Sequence, residues 1–226
     1  MHILCPIDFS YTTPIMLQRA VEIALHYGGK IRLLYVVRKL SDVMAGFYGF
    51  DIEEEDWFEK RWEDMKQKVF DKLAAYKQVY IPSTIVCEEE VRYGKISEEI
   101  IKEAEVCKAN CIILAMQTAD ELAKVPLANR VTQVISAAPC PVLTYHTIAE
   151  TSSFQKILYP ITTDTLPCHF FNTFHSFFQP EKAQLQLVRV LPSEASEYAI
   201  RKSKATLHRI QKELQQKGIS HIHSEI

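Results

Sequence analysis

Glycine is scarce in this chain, and its scarcity limits how the protein can bind phosphate. Only 6 of 226 residues are glycine, against a usual share of about 7%. None lies between residues 95 and 217. Loops that wrap a phosphate need glycine, because the missing Cβ permits positive φ and a close approach of backbone N–H groups. Residues 95–217 therefore cannot form a glycine-rich phosphate loop.

The sequence also lacks the marks of membrane, nucleic-acid-binding, secreted and zinc proteins. No apolar run approaches the ~18 residues of a membrane helix, and the start has no basic region with a cleavage site. Lysine plus arginine number 26 and aspartate plus glutamate 28, so the formal net charge is −2. That balance offers no basic surface to nucleic acid or anionic lipid. The six cysteines include no CxxC pair. We therefore expect a cytoplasmic protein with reduced cysteines, no metal, and no nucleic-acid or membrane partner.

Residues 1–148 alternate between strand-like and helix-like patterns. Short apolar or β-branched runs predict strands at 3–8, 31–37, 83–91, 111–116 and 141–145. Apolar residues three and four apart predict helices between them, the first from Thr13–Pro14 to Gly28–Gly29. Strands that alternate with helices predict an α/β fold, with an open, mostly parallel sheet and helices on both faces.

The opening strand recurs 154 residues later. HILCPID (2–8) matches KILYPIT (156–162), and the same offset brings Leu33 onto Leu187. In this second copy we predict a helix over 168–178, a longer helix from Ser193 to Gly218 and a last strand over 219–226. The copy has nothing equivalent to residues 92–146. We expect one domain over 1–148 and a partial second copy over 154–226. The first strand of that copy would have an open apolar edge, which either another segment covers or a continuation of the natural gene completes.

Three stretches together resemble the universal stress protein family in its tandem two-domain form. They are ILCPIDFS (3–10), LLYVV (33–37) and the stretch from CIILAM (111–116) to APCPVLTY (138–145). The resemblance implies a five-stranded sheet in the order 3-2-1-4-5 and pairing of units through their fifth strands. We therefore expect a homodimer through strand 141–145.

Many members of the family bind ATP with a G-x2-G-x9-G-[S/T] loop after the fourth strand. The matching positions here are Ala115, Thr118, Ala128 and Asn129, so all three glycines are missing and an amide replaces the hydroxyl. An L-residue forced into the left-handed region costs ~1–2 kcal/mol. Three such replacements can remove most of a micromolar affinity of ~8 kcal/mol. The resemblance therefore points to a vestigial nucleotide site.

The residues that the family uses on the adenine side of the nucleotide are retained better than those of the phosphate loop. The family's strand-one aspartate matches Asp8, and its adenine-side valine matches Val36. In the second copy these positions hold Thr162 and Val190, so the aspartate is lost there.

Several residues of the vestigial site have two interpretations. Asp8 either contacts a ligand or caps the turn at 9–13. Asn129 fits an N-cap of the fourth helix better than a residual phosphate donor. Arg130 either meets an anion or is a solvated side chain, and Gln117 and Thr118 either line a cleft or simply belong to the loop.

The leading hypothesis is a non-enzymatic stress-response or regulatory module that has lost ATP binding. It would act by dimerisation or by contact with an unknown protein partner, and no cofactor is expected. The alternative is an adenine-nucleotide sensor that holds ATP or AMP through Asp8 and Val36 despite a degenerate phosphate loop. An enzyme is disfavoured, because the sequence has no glycine-rich phosphate loop, no nucleophile elbow and no convincing acid–base pair.

Overall fold

The computed structural model describes residues 1–38, 54–116, 127–146, 156–162, 164–165, 184–219 and 221–226. The chain divides into two units, Met1–Glu150 and Thr151–Ile226. The helix expected over 168–178 lies outside the described residues.

The first unit alternates strands with helices, as the apolar patterns predict. In chain order its elements are β1 (His2–Pro6), α1 (Thr13–Tyr27), β2 (Lys30–Val37), α2 (Glu54–Tyr80), β3 (Cys87–Tyr93), α3 (Ile96–Val106), β4 (Cys111–Met116), α4 (Leu127–Ala137) and β5 (Val142–His146).

The five strands form one parallel sheet in the order β3-β2-β1-β4-β5. The α/β class and the strand order expected from the family resemblance are thus confirmed. β1 lies between β2 and β4, so the direction of the strand order reverses beside it. The carboxyl ends of β1, β2 and β4 meet at one edge, which is where open parallel sheets bind their ligands.

Helices cover both faces of this sheet. On one face, Leu4, Leu34 and Ile112 pack against Ile100 of α3 and Val134 of α4. Because successive residues of a strand point to opposite faces, the alternate residues of these strands face the other side. There α1 contacts β1, β2 and β4, and α2 contacts β3.

Local sequence signals set the ends of α1 correctly but misplace the start of β3. Proline stands in the first turn of α1, and Gly28, at φ +64°, ends it and donates its N–H to the carbonyl of Ala24. The strand predicted over 83–91 begins only at Cys87. Before it, the Ile85 N–H donates to the carbonyl of Pro82 at 3.0 Å. Residues 82–85 form this turn, so the apolar residues at 85 and 86 precede the strand.

The second unit contains β6 (Lys156–Pro160), β7 (Gln184–Val188), α5 (Glu197–Gln216) and β8 (Ile222–Glu225). Its strands form a parallel sheet in the order β6-β7-β8. Ile157 pairs with Leu185 as Ile3 pairs with Ile31, an offset of 154 in both strands. The register of β6 on β7 is therefore that of β1 on β2.

α5 packs the apolar core of the second unit. It begins after Ser196, whose Oγ accepts the N–H of Ala199 at 3.3 Å, and not at Ser193 as predicted, because this N-cap stops the helix from extending further back. Its buried residues meet the two neighbouring strands in a cluster of Leu185, Leu187, Leu207, Ile210, Leu214, Ile219 and Ile222. β6 is an edge strand of this sheet, and Leu158 at its centre is 62% exposed.

Candidate functional site at the carboxyl edge of the first sheet

Asp8 stands just beyond β1, where the carboxyl ends of three neighbouring strands meet. Its Oδ1 accepts two hydrogen bonds, from the Ser10 N–H at 2.9 Å and from the Thr13 hydroxyl at 3.0 Å. These bonds hold the turn that leads into α1, which is the geometry expected of a turn cap. Asp8 is exposed, and no hydrogen bond within the described residues reaches its Oδ2.

Val36 lies near the end of β2, two residues beyond Leu34, which pairs with Pro6 at the end of β1. It is 9% exposed and belongs to the core cluster with Leu34, Ile112 and Leu114. Most of its surface is therefore buried in this core. Val190, the matching residue of the second unit, is 83% exposed.

The positions that match the phosphate loop are divided between a strand and a helix. Ala115 pairs with Tyr145 in the regular ladder between β4 and β5. Ala128, Asn129 and Arg130 lie in the first turn of α4, which starts at Leu127. Gln117 and Thr118 lie outside the described residues.

Asn129 is the third residue of α4. An N-cap precedes the first helical residue, so the N-cap interpretation of Asn129 is wrong. Leu127 and Ala128 are strong helix formers and extend the helix back beyond the asparagine. The apolar residues of α4 are also only partly buried. Val134 is 2% exposed, whereas Ile135 is 53% exposed.

An aromatic cluster beside Asp8 escaped the sequence analysis. Phe9 has φ +56°, a left-handed backbone that costs an L-residue ~1–2 kcal/mol. Its ring centroid lies 5.0 Å from that of Tyr35 and 5.2 Å from that of Tyr76, and the Lys72 Nζ lies 4.9 Å from it. These contacts hold the strained residue at the end of β1. The aromatic residue directly after the strand-end aspartate is the sequence signal from which this cluster could have been predicted.

The thiols of the first unit are poor nucleophiles. The described cysteines are free, and burial raises the pKa of Cys87 and Cys111 to about 12 and that of Cys140 to about 11. A thiol reacts as its thiolate, so these groups stay protonated and unreactive at neutral pH. Within the part of the chain that the structure describes, no group of three histidine, cysteine or acidic residues is placed to hold a metal ion. No helix in that part is long and apolar enough to cross a membrane.

The fold and the strand-end site define an open, parallel α/β protein with its candidate site at the reversal of the strand order. Residues 1–146 match the family model described as the universal stress protein family. The chain belongs to the universal stress protein family.

Solved structures of universal stress proteins share this fold. A universal stress protein from Archaeoglobus fulgidus is 19% identical, with a TM-score of 0.64 over 100% of this chain and 77% of its own. The protein UspA from Lactobacillus plantarum is 20% identical, with a TM-score of 0.51 over 64% of this chain and 96% of its own. At these identities the likeness concerns the fold alone. No protein of curated function matches the chain.

Proposed function

We propose that this universal stress protein is a non-enzymatic regulatory module that has lost ATP binding. It acts by dimerisation or by contact with a protein partner. The observation that carries the proposal is the residue set at the phosphate-loop positions, where Ala115, Thr118, Ala128 and Asn129 replace three glycines and a hydroxyl residue.

The proposed loss is steric. Phosphate oxygens reach backbone N–H groups most closely where no Cβ stands between them. Ala115 holds a regular strand backbone, and Ala128 a helical one. A backbone of either kind is one that any L-residue adopts, so these two positions suit the alanines that occupy them and do not use the positive φ that glycine would permit.

The base side of the site supports the same conclusion. Val36 is buried in the core cluster and has little surface left for an adenine ring. One oxygen of Asp8 is occupied by the turn before α1. An adenine ring would therefore have little free surface on Val36 and would depend on the second oxygen of Asp8.

Thermal melting with adenine nucleotides tests the proposal. At about 100 times its dissociation constant, a ligand that binds adds about 2.7 kcal/mol of stability, a shift of several degrees for a chain of this size. We expect ATP and AMP to leave the melting temperature unchanged. A clear shift with either nucleotide would instead support the alternative, an adenine-nucleotide sensor that uses the exposed Asp8.

A variant with the loop glycines restored tests the steric reason. A115G, T118G, A128G and N129S together recreate the G-x2-G-x9-G-S spacing, and we expect ATP to raise the melting temperature of this variant by several degrees. The comparison is made with and without ATP in the same variant, so the cost of added glycines cancels. Ala137→Gly, at the exposed end of α4, is the matched control and should not respond. A restored loop that still ignores ATP would refute the steric reason.

The proposed dimer forms through the outer edge of β5. β5 is an edge strand of the first sheet. The Pro141 carbonyl accepts the Ile112 N–H, so the backbone groups of 141, 143 and 145 face β4. By alternation, those of Val142 and Thr144 face away from the sheet. This outward row can pair with the same strand of a second copy.

Thr144→Pro tests that pairing, because proline removes an outward N–H and keeps the ladder to β4 intact. We expect the unmodified protein to sediment at twice its mass of 26.0 kDa and T144P to sediment as a monomer. Thr144→Val keeps the N–H and should remain a dimer. An unmodified protein that stays at 26.0 kDa at micromolar concentration, or a dimeric T144P, would contradict this interface.

The proposal also includes a tandem arrangement and a cytoplasmic location. The shared register of β6 on β7 and β1 on β2 supports reading residues 154–226 as a partial second copy of residues 1–148. The free thiols of the described cysteines suit the reducing cytosol.

A further inference from the structure

Three cationic side chains converge on one aspartate at the carboxyl edge of the second sheet. The Asp164 Oδ1 lies 3.0 Å from the Arg189 Nη1, and its Oδ2 lies 3.5 Å from the Lys202 Nζ. The Arg209 Nη2 donates a hydrogen bond to the Asp164 backbone carbonyl. One carboxylate balances one of the three positive charges, so the cluster keeps two positive charges in excess.

The fold holds these cations in place. Arg189 follows β7 directly, and its backbone N–H donates to the Glu225 carbonyl of β8 at 3.1 Å. Its side chain is only 17% exposed. Lys202 and Arg209 stand seven residues apart on α5, two helical turns, and therefore on the same side of the helix.

Among the described residues, the neighbouring carboxylates Glu225 and Glu197 do not neutralise the cluster. The Glu225 carboxylate accepts a hydrogen bond from Gln186 at 3.0 Å, a residue that points to the opposite face of the sheet from Leu187 and Arg189. Glu197 is paired with Arg201 at 3.4 Å. Arg189 and Lys202 lower the pKa of Asp164 below its usual value. This aspartate is therefore ionised at neutral pH, and its negative charge is included in the net excess of two positive charges.

The first unit has a different chemistry at the matching place. At the offset of 154, Arg189 corresponds to Tyr35 and Asp164 to Ser10. The first unit thus has a tyrosine and a serine where the second has Arg189 and Asp164, and the cation described there is Lys72, over the Phe9 ring that stacks on Tyr35. The contrast makes the cluster a property of the second sheet, at the edge where parallel sheets bind ligands.

We propose that Arg189, Lys202 and Arg209 bind the phosphate group of a small phosphorylated ligand, and that Asp164 occupies this site in the unliganded protein. Two excess positive charges match a phosphate dianion, and a guanidinium fork fits two phosphate oxygens at once. The ligand displaces the carboxylate from the cations. This site is independent of the proposed loss of ATP binding at the first sheet.

The sign of one substitution separates this role from a purely structural ion pair. Asp164→Asn removes the competing charge, so we expect inorganic phosphate to bind about tenfold tighter, the difference that one charge-assisted hydrogen bond makes. In a structural ion pair the same change would weaken the fold and create no phosphate binding. Arg189→Gln should weaken phosphate binding at least about tenfold.

The experiment is calorimetric titration of the full-length chain with inorganic phosphate at constant ionic strength. Lys202→Gln, at a 59% exposed side chain, tests the site without risk to the fold and should weaken binding severalfold. Lys204→Gln removes the same charge from an exposed position of α5 and should leave binding unchanged. Circular dichroism checks that each variant is folded.

Specific outcomes would overturn the proposal. They are the absence of phosphate binding in both the unmodified protein and D164N, weaker binding in D164N than in the unmodified chain, or equal losses in K202Q and K204Q. Equal losses of affinity would mean that phosphate binding depends only on the overall charge of the helix.

Discussion

Replacing Glu103 with glutamine is expected to lower the free energy of unfolding of the first unit by about 3 kcal/mol. The Glu103 side chain is fully buried and makes ion pairs with Arg32 of β2 and Arg92 of β3. Glutamine has nearly the same shape but no charge, so both guanidinium groups lose their buried counter-ion. The loss of one partner of a buried ion pair is costly, because the remaining charge stays desolvated.

Each arginine has a second carboxylate nearby, so the expected decrease in unfolding free energy lies at the lower end of the range for buried ion pairs. Arg32 also lies 3.0 Å from Glu88, and Arg92 lies 3.5 Å from Glu99. Each arginine side chain is about a quarter exposed, so water can solvate part of the uncovered charge. The packing is otherwise tight here. A Cβ on Gly94 would lie 2.9 Å from the Glu99 Cγ, so the network has little room to rearrange around the glutamine.

Urea unfolding followed by circular dichroism measures this effect. Glu105→Gln is the matched control, since it removes the same charge from an exposed position of α3 and should change stability by less than about 0.5 kcal/mol. If E103Q and E105Q proved equally stable, the buried network would contribute nothing and the assignment of its role would fail.

The ion network also marks the limit of what the sequence could predict. Glu103 belongs to a helix rich in glutamates, and no local pattern distinguishes it from its exposed neighbours. It is buried because Arg32 stands 71 residues away in the chain and is brought to it by the pairing of strands. A contact of that separation follows from topology and not from periodicity.

Elements with strong local signals were predictable from the sequence. The apolar run of β4 at 111–116 and the proline and glycine at the ends of α1 define those elements closely. The five-stranded order came from the family resemblance. The start of β3 was misplaced, because apolar residues at 85 and 86 extend the pattern into a turn.

The site was predictable in position and less so in detail. Asp8, Val36 and Ala115 stand at the ends of three neighbouring strands, as the alignment of motifs implies. The N-cap role of Asn129 failed because a cap depends on where the helix starts, and the helix starts at Leu127, three residues earlier than a cap at 129 requires. The cations at the second sheet escaped notice because Arg189, Lys202 and Arg209 are far apart in the sequence and no motif joins them.

Replacing Leu187 with alanine is expected to unfold the second unit and leave the first folded. Leu187 is fully buried in the core of the second unit, among Leu185, Leu207 and Ile210. A buried leucine cut to alanine costs about 2.7–5 kcal/mol, and a domain this small has little stability to lose. We propose that residues 1–148 and 154–226 are separate domains, so the loss should stop at their boundary.

Leu33→Ala is the matched reciprocal variant, because Leu33 is the counterpart of Leu187 at the offset of 154 and is also fully buried. Hydrogen exchange measured by mass spectrometry reports protection segment by segment. In L187A we expect protection to fall in β6, β7, α5 and β8 and to persist in β1 to β5. L33A should lower protection in β1 to β5, by a smaller factor because the first unit is larger, and leave it unchanged in β6, β7, α5 and β8. Loss of protection across the whole chain in L187A would mean that the two units fold as one cooperative domain, and the division into two domains would then be wrong.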